Sequence, residues 1–533
     1  MPRVRSSIYL AAVICTVAMA LPALASAAIT VNTTADQAPS ATSCRGVPGD
    51  CSLRQAISWA SELADGTVIL PAGYYTLTLR GPEEEANQSG DLDTGSKIQI
   101  NGAGARTTVI DATGLGERVF DVHENGSLGL SRLTVTGGEA IDVDGGGIRV
   151  YGGSLNLDQV AVKNNVSSGE GYGGGFFAEN AIVTVNASLL AGNRNSGDGG
   201  GFFAEEGETT VVNSTIADNV VDTSLYPGQE NWGAYGGGVE VSAGKLTMQN
   251  VTVAGNSIRD GNGGGDGTGT GLAVYPEEGE FVNTIVYGNS GAEVEFFAQC
   301  APVKPDERLI SGGHNLEQQP PAGEQRCFET PSDLIADPRL GPLADNGGET
   351  DTMALLDGSP AFNAADAAKC PTTDQRGLPR PSLGGCDIGA FEVQPVPPPP
   401  PPAIAAPAIT RKGKVVVKKA GKTFLVKPGF SVTCPVTDPT CTGTIKVRAP
   451  KLKVKSAGTS AAKKVLIGKA TFSVAPGKTK KLSLKLNAKG AKMLRLAGKL
   501  RGQFEVSSHA GTGPAATSKA TLQLKLPPSR KKH

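Results

Sequence analysis

RLTVTGG (132–138), QVAVKNN (159–165), ASLLAGN (187–193), NSTIADN (213–219), NVTVAGN (250–256) and NTIVYGN (283–289) are six versions of one segment. Three places before the last residue, each carries an aliphatic side chain: Val135, Val162, Leu190, Ile216, Val253 and Val286. The last residue is Gly138 and then always asparagine: Asn165, Asn193, Asn219, Asn256 and Asn289. Glycine clusters at 145–147, 173–175, 199–201, 236–238 and 263–265 separate the segments. Apolar and polar residues alternate with period 2, so the unit is a strand and not a helix. A repeat of this length, built from strands and a turn residue in one column, predicts a stacked solenoid. Strands of about five residues allow two or three in each coil. Coils stack about 4.8 Å apart, which superimposes like residues. The aliphatic column then fills the interior. The asparagine column suits a tight corner, because Asn tolerates positive φ and its amide can bond to the next coil.

Working outward, the N-terminal side begins with Arg3 and Arg5, an apolar run from Ile8 to Leu24 and Ala25-Ser26-Ala27. This is the pattern of a secretory signal covering 1–27, and no later stretch is long and apolar enough for a membrane helix. Cys15 leaves with the signal, and the eight remaining cysteines fall in local couples. An even count in an exported chain predicts disulfides, here Cys44–Cys51, Cys300–Cys327, Cys370–Cys386 and Cys434–Cys441. Within 52–63, Leu53, Ala56, Ile57, Ala60 and Leu63 have helical spacing. The segment predicts an amphipathic helix that covers the open end of the stack.

On the C-terminal side, QPVPPPPPP (394–402) begins a stiff linker covering 394–407. Beyond it, 408–533 alternates short strands around glycine turns, with one helix at 488–497, and predicts a small Ig-like β-sandwich. The net charge of −1 conceals a division. Residues 401–533 hold 24 Lys and 5 Arg against Asp438 and Glu505, whereas residues 29–400 are strongly acidic. Such asymmetry predicts two domains with different partners. The basic domain suits anionic polymers, although its few aromatics argue against base stacking on nucleic acid.

Cys51-Ser52-Leu53-Arg54-Gln55-Ala56-Ile57 resembles the motif of the bacterial CSLREA domain, with Gln55 where Glu is usual. IQINGAGARTTVIDATG (98–114) is similar to the first coils of pectin-lyase-like proteins. ADPRLGPLADNGGETDTMAL (336–355) and DQRGLPRPSLGGCDIGAFE (374–392) resemble the terminal block of bacterial choice-of-anchor proteins. The resemblance implies an all-β protein: a right-handed parallel β-helix over 28–393 with an N-terminal capping helix, followed by the sandwich. It implies that the block closes the solenoid. In that block Asp374, Arg376, Arg380, Asp387 and Glu392 read as rigid Arg–carboxylate pairs that lock the last coils, in preference to a catalytic cluster.

Chemistry on a β-helix requires acidic residues stacked on neighbouring coils. Counted from the glycine clusters, Glu179 and Glu205 share a column and Glu240 is offset, which makes these three the candidate acid/base residues. Asp142, Asp144, Asp198, Asp260 and Asp266, in acidic glycine loops, are the candidate calcium ligands, against a plain turn-forming role. No other cofactor is implied. The expected function is a secreted or envelope-associated protein with a non-enzymatic binding or structural role, its partner a cell-envelope or extracellular polysaccharide. The alternative is a polysaccharide lyase or glycoside hydrolase acting near the inserted loops at 221–235 and 260–271.

Overall fold

In a computed structural model, the described residues are 28–63, 65–81, 84–225, 234–259, 269–275, 278–292, 299–301, 310–320, 326–395, 406–436, 440–450, 464–511 and 514–528. The predicted signal (1–27), Asp260, Asp266, most of the 221–235 insertion and residues 396–405 of the linker lie outside them. The chain divides into two units, Met1–Pro395 and Val396–His533.

Unit 1 is a stack of parallel coils. Its strands form two ten-stranded sheets (A and B), an eight-stranded sheet (C) and a six-stranded sheet (D), with parallel pairing throughout. One coil runs through Phe120–Val122 in sheet C, Ser127–Ser131 in A, Thr134–Thr136 in B and Glu139–Ile141 in D. Each full coil therefore has four strands where two or three were expected. The extra one arises because sheets B and D are the two sides of the asparagine corner, with two residues between them. The aliphatic column is interior: Val135, Val162, Leu190, Ile216, Val253 and Val286 are fully buried. So are Phe176 and Phe202, which stack 4.6 Å apart in neighbouring coils.

The asparagine column bears out the expected amide bonding between coils and corrects the expected positive φ. The residues in the left-handed region stand one place earlier: Gly137, Asn164, Gly192, Asp218, Gly255 and Gly288. The column asparagines use their amides, as expected. Asn193 Oδ1 accepts from Asn165 N (3.1 Å) and Nδ2 (3.0 Å), and Asn193 Nδ2 donates to Asn219 Oδ1 (3.0 Å). The pattern repeats to Asn256 and Asn289, and Gln299 takes the next position. The ladder thus satisfies buried backbone amides at a corner where no strand pairing is available. The glycine clusters have a second cause. A Cβ on Gly147, Gly175 or Gly201 would lie within 2.4 Å of the next coil's carbonyl oxygen. At the fifth corner these positions belong to Gly269, Thr270 and Gly271, not to 263–265.

The helix covers Leu53–Ser61, with Ser52 and Gln55 forming a reciprocal capping box. Gln55 thus performs the N3 role that Glu fills in such boxes. Arg54 is fully buried, pairs with Asp36 at 2.9 Å and donates to the carbonyls of Ser89, Gly90 and Asp91. It ties the helix to the first coils.

The 336–393 block is a correction to the expected closure. It does not simply lock the last coils: it runs back along the outside of sheet B. Glu349 accepts from Ala105 N and pairs with Arg132 near the first coils. Gln375 accepts from Thr215, and Asn250 and Asn283 donate to the carbonyls of Asp387 and Asp366. Of the two outward columns of sheet B, the one formed by Thr134, Ala161, Leu189, Thr215 and Thr252 is buried throughout, beneath this strap or its neighbours, while Thr136, Lys163 and Tyr287 of the other are partly exposed. Arg376 pairs with Asp374 at 2.7 Å and Arg380 with Glu392 at 3.2 Å, inside the strap. Asp387 accepts the amides of Asn363 and Val393.

Unit 2 is antiparallel, with two three-stranded sheets, one four-stranded sheet and a helix at Ala488–Ala497. Phe424, Phe430, Ile467, Leu494 and Phe504 are in one buried core. The cysteines are bonded as Cys44–Cys51, Cys300–Cys327, Cys370–Cys386 and Cys434–Cys441. No helix among the described residues is long and apolar enough to cross a membrane.

Candidate functional site

The strap occupies sheet B. Sheet C carries the main group of titratable side chains outside it, on its outer side. Alternation along each strand sends two residues per coil outward. Parallel register then assembles two columns: Asp93, Asp121, Arg149, Phe177, Phe203, Glu240 and Ala273, and beside them Tyr151, Glu179 and Glu205. Ser242 and Tyr275 extend the second column, as their amides bond to Ala204 O and Val241 O. A third column comes from the corner before the glycines. Gly145, Gly173 and Gly199 donate to the carbonyls of Tyr172, Asp198 and Tyr235, so Asp144, Tyr172, Asp198 and Tyr235 stand one per coil.

Aromatic rings form the middle of this face. Phe177 and Phe203 are parallel at 5.6 Å, Tyr172 stacks on Phe203 at 5.0 Å, and Tyr151 lies 5.7 Å from Phe177. The two phenylalanines are buried although they point away from the interior, while Tyr151 is exposed.

Acidic groups lie on the C-terminal side of the rings. Glu179 and Glu205 are side by side, as the column count predicts. Glu240 stands next to Phe203, is buried, and its Oε2 has no hydrogen-bond partner. Asp198 reaches the same place from the corner column. Burial pushes the Glu240 carboxyl well above the usual carboxylate range, and the negative fields of Asp198 and Glu205 add to the effect. Burial also raises Asp198 to about 7, opposed by the amide of Tyr235 that it accepts at 2.8 Å. Nearby Tyr275 is raised by burial, then by Glu240, Tyr235 and Asp198. Tyr151 is pushed up to about 12 by burial and by Glu179. Burial of the Asp198 and Glu240 carboxyls favours their protonated forms next to Glu205. Such an arrangement can donate a proton to a bound oxygen and accept hydrogen bonds from hydroxyls.

On the N-terminal side of the rings the charges are mixed. Arg118 bridges Asp91 (3.0 Å) and Asp121 (3.2 Å), and Arg149 also pairs with Asp121. His123 Nε2 lies 3.1 Å from Asp93 Oδ1. Burial, then the field of Asp91, raises Asp93 to about 7.

Of the residues singled out in the sequence, Glu205, Glu240 and Asp198 come together. Glu179 continues their strip toward Tyr151. Asp142 is exposed and apart from them, and Asp144 accepts the amide of Tyr172 on the next coil at 2.9 Å, as Asp198 does that of Tyr235. Sequence reasoning missed the pairing of Asp198 with Glu240, because Asp198 precedes its glycine cluster and Glu240 follows the next. Only the folding of the corner joins these columns. It also missed Asp93, Asp121 and His123, which lie before the recognisable repeats.

No family model matches the chain, and no curated protein matches it. Among solved structures, a GH3 β-glucosidase of Bifidobacterium adolescentis aligns at 20% identity over 24% of this chain, with a TM-score of 0.13. The match spans 19% of that enzyme's chain, about a fifth of its length. A likeness of that extent carries no argument about fold or activity here.

Proposed function

We propose that this is an exported protein that binds an extracellular polysaccharide along the outer side of sheet C. The observation that carries the reading is the outward column Tyr151, Glu179, Glu205, Ser242 and Tyr275, one residue per coil. At about 4.8 Å per coil it is an elongated strip. Tyrosines at both ends offer ring faces to sugar C–H surfaces, and the carboxylates and hydroxyl between them accept and donate hydrogen bonds. Its acidity disfavours polyuronates and favours neutral or amino-bearing glycans. The apolar leader at 8–24 and four disulfides support export. The CSLREA-like and choice-of-anchor-like motifs support a right-handed helix, with 53–61 as its cap and an Ig-like second unit.

That second unit serves as an electrostatic tether to anionic envelope polymers. On its four-stranded sheet, Lys446 stands beside Lys469 and Glu505, with Lys519 beyond Glu505 and Arg448 beside Gln503. Cations therefore outnumber the one carboxylate there.

The test is a glycan array with the full chain. Tyr151→Ala and Glu205→Gln should each weaken retention of the same neutral or amino-bearing glycans. Binding confined to polyuronates, or unaffected by both substitutions, would defeat the reading. A second reading, hydrolysis of the bound glycan, is favoured by the raised Asp198/Glu240 pair beside Glu205. It requires release of reducing ends that Glu240→Gln abolishes while binding persists. No release from any retained glycan removes it.

A further inference from the structure

We infer that Asp93, Asp121 and His123 bind a divalent transition-metal ion at the N-terminal end of the sheet C face. One donor atom from each of the three lies within 4.8 Å of the others. Ligands about 2.1 Å from a tetrahedral ion stand about 3.4 Å apart, so the widest donor pair closes by at most about 1.4 Å, shared between two side chains. One pair is already set, with His123 Nε2 3.1 Å from Asp93 Oδ1.

Two further observations point to a cation. Asp93 is 4% exposed, yet its Oδ2 has no hydrogen-bond partner. A buried carboxylate oxygen left unpaired is costly unless something else meets it. Carboxylates also predominate: Asp91, Asp93 and Asp121 surround the guanidiniums of Arg118 and Arg149, and the exposed Glu85 lies 3.8 Å from His123 Nδ1.

The surroundings hold the donors in place. Asn87 clamps the Asp93 backbone with two 2.9 Å bonds, to its N–H and its carbonyl. The His123 amide bonds to Thr94 O at 3.0 Å, and the two arginines orient Asp121. Outer contacts of this kind orient metal ligands. Two carboxylates with one imidazole select zinc, manganese or cobalt over calcium, which takes oxygen ligands only.

The test uses the full chain freed of any affinity tag, with Zn2+ titrated calorimetrically and Co2+ followed by its visible absorption. The wild type should bind one Zn2+ at a site that His123→Gln and Asp93→Asn each weaken by at least about tenfold. Excess Ca2+ should not compete. The chain's other histidines are His314, His509 and His533, so His314→Gln serves as the control and should retain the site. Circular dichroism checks that each variant is folded, and the Co2+ spectrum of the wild type should change in His123→Gln. Equal Zn2+ binding by the wild type and a folded His123→Gln, or none by either, overturns the proposal. The outcome is independent of glycan binding.

Discussion

Glu240→Gln should stabilise the protein at pH 8 and make little difference at pH 5. The perturbation removes an ionisable group from a buried carboxyl pair without altering its shape. The magnitude follows from proton linkage. Asp198 is raised from 3.8 to about 7, a shift of roughly 3 units worth at most about 4 kcal/mol at 1.36 kcal/mol per unit. Glu240 shifts in the same direction. A group with a raised folded pKa binds more protons folded than unfolded. Its stabilising contribution is therefore complete below the unfolded value and is lost as pH rises through the folded value. For this pair the loss runs from about pH 4 to above pH 7. The substituted amide cannot ionise, and without its neighbour's charge Asp198 ionises at less cost. The variant should gain on the order of 1–3 kcal/mol over the wild type by pH 8, which is roughly one to two pH units of the raised pKa relieved, at about 1.36 kcal/mol each. Calorimetric melts at pH 5, 6, 7 and 8 read this directly. One kcal/mol moves Tm by about 2–4 °C in domains of 150–250 residues, and by less in a unit as long as this one. A Tm difference that stays flat from pH 5 to 8, or a variant less stable at pH 8, refutes the reasoning.

Four other outcomes are expected. Asn219→Ala removes the acceptor of two Asn193 donors and the donor to Asn256 Oδ1; it should cost about 2–5 kcal/mol, since each stranded buried donor costs about 1–3, measured by denaturant unfolding. Arg54→Met leaves Asp36 buried beside carbonyls that lose their donors; a loss of about 3–5 kcal/mol is expected, and limited proteolysis should then cut among the first coils. Phe202→Ala opens a cavity beside Phe176 in the interior and should cost about 3–5 kcal/mol. Phe203→Ala, on the outer side, should disturb Tyr172 and glycan retention more than unfolding.

Much of the architecture is legible because β-stacking converts periodic sequence into columns. The aliphatic column, the asparagine column and the glycine clusters each name a fixed place in every coil, and Glu179 next to Glu205 follows by counting. The same counting fails where a residue lies outside the repeated frame. The left-handed conformation belongs to the residue before each ladder asparagine, which the letters Asn164, Gly192, Asp218 and Gly255 do not single out as one class. The terminal block is recognisable as a motif, but its course along sheet B depends on single long-range contacts such as Glu349 to Arg132 and Gln375 to Thr215. No local pattern encodes these.

The sequence by itself determined the repeat, the face each strand buries, the cysteine couples and the division of charge between the units. These depend on periodicity and composition, which are local. The tertiary structure alone decided that Asp198 meets Glu240, that Asp93 meets Asp121 and His123, and that one outward column of sheet B is covered while Tyr151 on sheet C's outer side stays exposed. Those meetings join residues from different coils and different columns. Their distances are set by how the corners turn, and that is a property of the folded stack.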